Sequence, residues 1–465
     1  MADSQPWFTH SAITATSSEG VRTRLGISSN HASFRVGVLR THLLTALLAH
    51  SAAHHLGVRA HVAIRWDDSD GLRSRDEHRP TLVHEIGQVA QIPTEPGMMA
   101  LRQSRRDARY RRALQRLDNR RLLTVRHGLA CLDVDAVDRL MTARGVSPEA
   151  LTASVPVNAT TARSPAQGAV PLMRSDGWAL WHLATVVDDI DQRTTLIVRG
   201  TDKRDATPVQ VRLHWALVEG RLPPAHLFLP KVLGKGTVLP RVADLLDRGV
   251  RPSALRYFLT EPYLTRAQAS AWPVGFSELV GRIRTDLPSY GDSLLDERRL
   301  DSVDRKLSAT LDPAVAWQEL SGHCPSAPTH VIGWITRHYP RPLAQQLRLC
   351  RALTGSAIDY EPPPGQAEEA WRWLDSWSRG AAKGPPPHPV RWVLIGQRDG
   401  PHVTKLLEVF PSWLVNHRLA LARQELSRFN AALSRVSVRS RPSSSSDSNS
   451  GSPTVRPVTA TRTGA

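Results

Sequence analysis

An alternating run from Val21 to Ile27, a turn at Ser28-Ser29-Asn30-His31, an apolar-faced helix and a second run from Ala60 to Trp66 constrain this chain more than anything else in it. The helix is predicted from about Gly37 to His55. Val38, Leu39, Leu43, Leu44, Leu47 and Leu48 recur at helical spacing, and Gly57 is placed to end it. Strand, turn, helix, strand is the opening of a parallel, Rossmann-like sheet. In such sheets ligands bind beyond the carboxyl ends of the strands. Ser28-Ser29 and Asp67-Asp68 fall at those ends.

A chain of 465 residues has room for two to four domains with cores that need no disulfide support. Its apolar stretches, such as Leu43 to Ala53, are broken by His and Thr and are too short to cross a bilayer. The chain opens with no charged start followed by an apolar core and cleavage site, so the expected location is the cytoplasm, away from membranes. Cys131, Cys324 and Cys350 lie far apart without CxxC spacing, which excludes a disulfide framework and a self-contained zinc site. No structural zinc or other structural metal is expected. The formal charge of +17 suits a polyanion partner, RNA above all. Arginine-biased composition, with some excess in the C-terminal tail, is the competing explanation, and nucleic-acid binding is preferred to it.

The organisation predicted along the chain is a flexible leader over 1–19 and a sheet domain over 20–265. That domain carries an arginine-rich, mostly helical insertion at about 79–170, with an amphipathic run from Ser104 to Leu123. A helix is expected from Thr207 to Leu217. A helical region follows over 266–330, then a second over 331–435. The latter includes a helix from Gln366 to Arg379, a Pro/Gly linker and a short strand at Val390 to Ile395. Residues 436–465 are rich in Ser, Thr, Pro and Arg, lack core-forming patterns and are expected to be disordered.

Several motifs occur in a telling order. Met173-Arg174-Ser175-Asp176-Gly177 precedes His182-Leu183-Ala184 and Val186-Val187-Asp188-Asp189, and Ile197-Val198-Arg199-Gly200 comes next. The series resembles the RSDG, HLA, VVDD and VxRG series of glutamyl-tRNA synthetases. Val21 to Ser28 resembles that family's VRxRFAPS strand, and Arg65 to Ser74 its RxEDTDxxRS motif. Arg102-Gln103-Ser104 with Arg106 and Tyr110 is similar to RQSERxxxY. Thr207-Pro208-Val209-Gln210 is similar to TPxQ, and Pro252 to Arg256 to PEALRN. Near the C-terminus, Arg391 to Gly396, Gly400-Pro401 and Arg418-Leu419 resemble the RVALTG, GP and RL of the anticodon-binding domain. The resemblance implies an α/β fold: a Rossmann-like class I synthetase catalytic domain with a helical insertion. All-helical stem-contact and anticodon-binding-like domains would follow.

It also implies ATP with Mg²⁺, a glutamate-like amino acid and tRNA as ligands of a monomeric ligase. Arg24, Ser28, Asp67, Trp181 and Arg199 match the positions that hold the amino acid. Asp67 stands where the family has Glu, and Trp181 where it has Tyr. Arg35, Gly37 and Lys235 match positions that face ATP, and Arg35 and Lys235 are the catalytic candidates. Aligned on Gly37 and Arg40-Thr41, Arg35 replaces the first histidine of the family's HIGH signature and Val38 the second. The KMSKS-type loop falls on Val232 to Gly236 and keeps only Lys235. Losing one donor of an oxyanion-type site costs about 3 kcal/mol. Two other readings therefore remain: a catalytically inactive tRNA-binding or regulatory paralogue, and an amino-acid-adenylating enzyme of a biosynthetic pathway. His50, His54 and His55 have helical spacing but no HExxH-type motif, so they are read as surface or interface histidines.

Overall fold

The structure, a computed structural model, describes residues 6–14, 20–69, 73–93, 101–158, 168–234, 238–265, 275–286, 291–355, 360–387, 389–398 and 400–439. Two compact units are formed, Met1–Cys350 and Arg351–Ala465. Within the expected leader, Trp7 and Ile13 are buried, so residues 6–14 are packed rather than loose. Most of the expected tail, 440–465, and the rest of the leader lie outside the described residues.

In the first unit, β1 (Val21–Ile27) pairs in parallel with β2 (Ala60–Trp66), and β2 with β3 (Leu101–Arg102). The helix Val36–Leu56 connects β1 to β2 and packs on both. Leu39, Leu43, Leu44, Leu47 and Leu48 are fully buried, and Gly57 ends the helix in the left-handed region at φ 67°.

The expected helical insertion is corrected in part. Beside the helices Asp107–Asn119, Val134–Ala143 and Pro148–Ala153 it holds an antiparallel sheet of β4 (Leu123–Arg126), β5 (Leu129–Asp133) and β6 (Ala169–Met173). The β4–β5 turn is His127-Gly128, with φ of 50° and 75°. Two positive-φ residues in a two-residue loop match the strand twist. Histidine is a weak sequence signal for that geometry, which is why the hairpin is hard to read in advance.

Farther along, β7 (Leu196–Gly200) pairs in parallel with β8 (Ala225–Leu229). Thr195 N–H donates to Arg22 O at 2.9 Å, which lays this pair along the free edge of β1. The spatial order is thus β3-β2-β1-β7-β8, with the chain reversing direction across the sheet between β1 and β7. Such a switch point leaves a crevice at the carboxyl ends of the strands. Two short strands, β9 (Val232–Leu233) and β10 (Ser293–Leu294), form a separate parallel pair.

Helices Pro252–Thr260, Glu297–Thr310 and Pro313–His323 follow. Arg251 is buried among them, 2.8 Å from Glu319 and 3.6 Å from Asp304. Burial outweighs Arg251 and pushes the Asp304 carboxyl up to about 7 from its usual 3.8. A pKa raised by folding means that the neutral form stabilises the native state. This contribution is present below about 4 and is lost as pH rises through about 7. Asp304→Asn is therefore expected to flatten the fall in urea midpoint between about pH 4 and pH 7. An unchanged pH profile would contradict this assignment.

In the second unit, Val390–Ile395 is a helix and not the expected strand. A short apolar run does not distinguish the two periods. Here every residue of the run is buried, and Gly396 caps its end at φ 73°. Arg391 donates to the carbonyls of Pro401 (2.8 Å) and Arg398 (3.0 Å). A Cβ on Gly400 would come within 2.9 Å of Arg391 Cδ, so the arginine and the Gly-Pro step require each other. The long helix Ser412–Arg439 completes this unit.

Candidate functional site

The crevice at the β1–β7 switch point opens into a cavity of about 370 Å³. β1 contributes Arg24 and Gly26 to its wall, and β7 contributes Val198, Arg199 and Gly200. Arg65 and Asp67 reach it from the end of β2, and Trp181 and Thr185 from the helix Trp181–Asp191. The first turns of Val36–Leu56 close the far side.

A buried lattice of charge organises the interior. Asp189 accepts from Arg24 Nε at 2.9 Å and from Arg65 Nη1 at 2.8 Å. Burial alone would raise the Asp189 carboxyl, but Arg24 and Arg65 outweigh it and hold its pKa below the usual carboxylate range. Arg65 Nε also donates to Asp67 at 2.8 Å. The adjacent Asp188 accepts from Gln103 at 2.9 Å and Arg106 at 2.8 Å, tying the insertion to the same helix.

Arg199 is different. Only 7% exposed, it donates to Gln210 Oε1 and Thr207 Oγ1, both at 2.6 Å, and makes no ion pair among the described residues. Its Nε lacks any partner. Burial first, then the charge of Arg24, lowers its pKa to about 9, which leaves it protonated at neutral pH. A buried guanidinium in a cavity wall, with no carboxylate in hydrogen-bond reach and only the more distant Asp189 and Asp202 to offset its charge, has the chemistry to receive an anion.

No family model matches the chain. It is 33% identical over 137 residues to the glutamate--tRNA ligase 2 of Koribacter versatilis, 28% of either chain. Over 214 residues it is 33% identical to the glutamyl-Q tRNA(Asp) synthetase of Xanthomonas campestris pv. campestris, 41% of this chain and 67% of that protein. The chain belongs to the glutamyl-tRNA synthetase family. The crystal structure of the glutamate-tRNA synthetase from Elizabethkingia anophelis shares the fold, at 14% identity and a TM-score of 0.55 over 87% of this chain and 99% of that one. The first of these alignments spans little more than a quarter of its relative, the second two thirds.

Of the residues matched to family positions, Arg24, Asp67, Trp181, Arg199, Arg35 and Gly37 all line the cavity. Ser28 does not. β1 ends at Ile27, so the alternation that points Arg24 and Gly26 inward stops one residue short, and Ser28 is exposed. Lys235 lies outside the described residues. Arg35 stands at the N-cap of Val36–Leu56, and Val38 is 43% exposed with no side-chain donor to offer.

Two departures from the family pattern meet in space. Gly26 stands where the VRxRFAPS strand has Ala, and Asp67 where RxEDTD has Glu. A Cβ on Gly26 would lie 2.6 Å from Asp67 Oδ2, so the missing methyl makes room for the shortened carboxylate to rest across β1. Gly26→Ala is expected to displace Asp67, with little loss of stability because a side-chain end can move. Amino-acid affinity should fall about tenfold, the equivalent of ~1.4 kcal/mol, in isothermal titration. Wild-type affinity in the variant would show that the two positions are independent.

Motif reading alone misses Arg40, His42, Thr45, Thr185 and Lys203, all in the cavity wall, which Lys231 beside the KMSKS-type segment also lines. For the helix the signal exists: Val38, Thr41, His42 and Thr45 share one face at helical spacing. His42 Nε2 and Thr185 Oγ1 are buried without hydrogen-bond partners. Burial, then Arg24, lowers His42 to about 4, so the imidazole is neutral at physiological pH.

Proposed function

We propose that this glutamyl-tRNA synthetase-like protein activates glutamate or a related acidic amino acid with ATP and transfers it to tRNA. The observation that carries the reading is Arg199, a buried cation with no carboxylate of its own facing the switch-point cavity. Arg199 would take the side-chain carboxylate through charge-assisted hydrogen bonds, and Arg24, held in place by Asp189, would add positive charge beside it. Asp67 would take the α-amino group. The α-carboxylate would then attack the α-phosphorus of ATP, forming the acyl-phosphate bond and releasing pyrophosphate. Attack by a terminal ribose hydroxyl of tRNA on the acyl carbon would release AMP. Arg35 and Lys235 would meet the phosphates. Among the described residues no group of three or more His, Cys, Asp or Glu is placed to hold a metal, so Mg²⁺ would arrive held chiefly by the nucleotide.

A second reading has its own support. Val38, exposed in the cavity wall at a histidine position of the family signature, favours an inactive tRNA-binding paralogue. Charging of total tRNA with radiolabelled glutamate at high enzyme concentration separates the two. Label in tRNA that is lost with Lys235→Ala supports the ligase. Retardation of tRNA in a gel without charging supports the binder. The +17 charge and the family's use of tRNA support RNA as the partner in both. Among the described residues no helix is long and apolar enough to cross a membrane.

A further inference from the structure

Nearly all of the 60 basic residues of this chain are arginines, and only six are lysines. Two of the six, Lys203 and Lys231, line one and the same cavity. They stand just beyond the carboxyl ends of the paired strands β7 and β8, whose last residues Gly200 and Leu229 are in register. Lys203 lies outside the eroded phosphate signatures at Arg35–Val38 and Val232–Gly236, and Lys231 immediately precedes the second of them. An ammonium is a compact point charge on a flexible stem, suited to phosphate oxygens rather than to the planar fork-to-fork pairing of a carboxylate.

The charge pattern of the cavity leaves these two available. Arg24 and Arg65 are committed to Asp189 and Asp67, and Arg40 donates to the Pro230 carbonyl. Lys231 is exposed and makes no ion pair among the described residues. Its backbone, by contrast, is fixed. The N–H donates to Asp292 Oδ1 at 2.6 Å, and the carbonyl accepts from Ser293 N–H at 2.9 Å. The β9–β10 ladder continues from that point, so Lys231 is anchored at the start of β9. Lys203 lies 3.3 Å from the exposed Asp202 carboxylate, a weak surface pair, and 5.4 Å from the Trp181 ring centre. Its ammonium is held over the cavity by an aromatic face and not by a buried acid.

We infer that Lys203 and Lys231 bind the phosphates of the nucleotide, supplying charge that the altered signatures lack. This rests on the nucleotide reading of the same cavity. Lys231 anchors one side from the strapped strand, and Lys203 joins the phosphate end to Trp181.

Titration calorimetry of the full chain with ATP–Mg²⁺ and with adenosine tests it, using Lys203→Ala, Lys231→Ala and, as a control, Lys405→Ala, whose lysine pairs with Glu408 on a surface helix. Wild type should bind ATP more tightly than adenosine. Each cavity variant should weaken ATP about tenfold and leave adenosine unchanged, with Lys231→Arg recovering part of the loss. Glutamate affinity should survive Lys231→Ala. Cavity variants that bind ATP as wild type does would overturn the inference while leaving the nucleotide reading standing. A wild type that does not prefer ATP over adenosine would remove that reading and the inference with it. Loss of tRNA retardation in a gel, with ATP affinity intact, would assign the lysines to RNA phosphates and contradict the proposal.

Discussion

Replacing Arg199 with Gln is expected to abolish tight amino-acid binding while leaving the protein folded. Two charge-assisted hydrogen bonds to a carboxylate, at about 1.5–3 kcal/mol each, correspond to a loss of about a hundredfold or more in affinity. Stability should respond differently. The wild-type guanidinium is buried, carries no carboxylate partner and has its pKa lowered to about 9. A neutral, shorter polar side chain avoids that desolvation, so the urea midpoint should stay or rise. Arg199→Lys should not restore binding, because an ammonium lacks the planar fork that keeps Gln210 and Thr207 bonded while meeting a ligand. Wild-type affinity in Arg199→Gln would remove the residue from the site, and a cooperative loss of structure would make its role architectural.

Asp189→Ala should have the opposite signature. This carboxylate joins Arg24 on β1 to Arg65 on β2 from the helix Trp181–Asp191, and all three side chains are buried. Deleting it leaves the Arg24 guanidinium without its carboxylate in the interior and takes one of two carboxylates from Arg65, which keeps Asp67, and breaking a buried pair in that way costs about 3–5 kcal/mol. Urea denaturation at neutral pH reads the change directly. A loss below about 1 kcal/mol would mean that water reaches the arginines and that the lattice is not a structural keystone. The pair of predictions distinguishes a charge kept unpaired for a ligand from charges paired for the fold.

What the sequence makes legible follows from the length scale of each signal. Val21–Ile27, Ala60–Trp66 and Thr207–Leu217 are readable to the residue because their periodicity and end signals are local and agree with the sheet they enter. Val390–Ile395 is not, since six residues, five of them apolar and all of them buried, carry no period. The His127-Gly128 hairpin is hidden because its turn uses histidine at positive φ. At the site, ordered motifs lead to Arg24, Asp67 and Arg199, whereas Ser28 is misplaced because one residue of strand decides its direction. Thr185 and Lys203 are visible only when separate elements converge. The partnering of Arg24 and the solitude of Arg199 are likewise three-dimensional facts, and they give two similar-looking arginines different roles.

Both phosphate signatures are altered, and losing two oxyanion-type donors without replacement would slow adenylate formation by about 10⁴ or more if the effects added. Amino-acid-dependent exchange of labelled pyrophosphate into ATP, run with tRNA present and over long times, is therefore the most direct test of the central claim. Exchange that requires glutamate or a close acidic analogue, and that disappears in Arg199→Gln, is the predicted result. No exchange with any amino acid, from a protein that is folded and retards tRNA in a gel, would contradict ATP-dependent activation and leave a tRNA-binding paralogue.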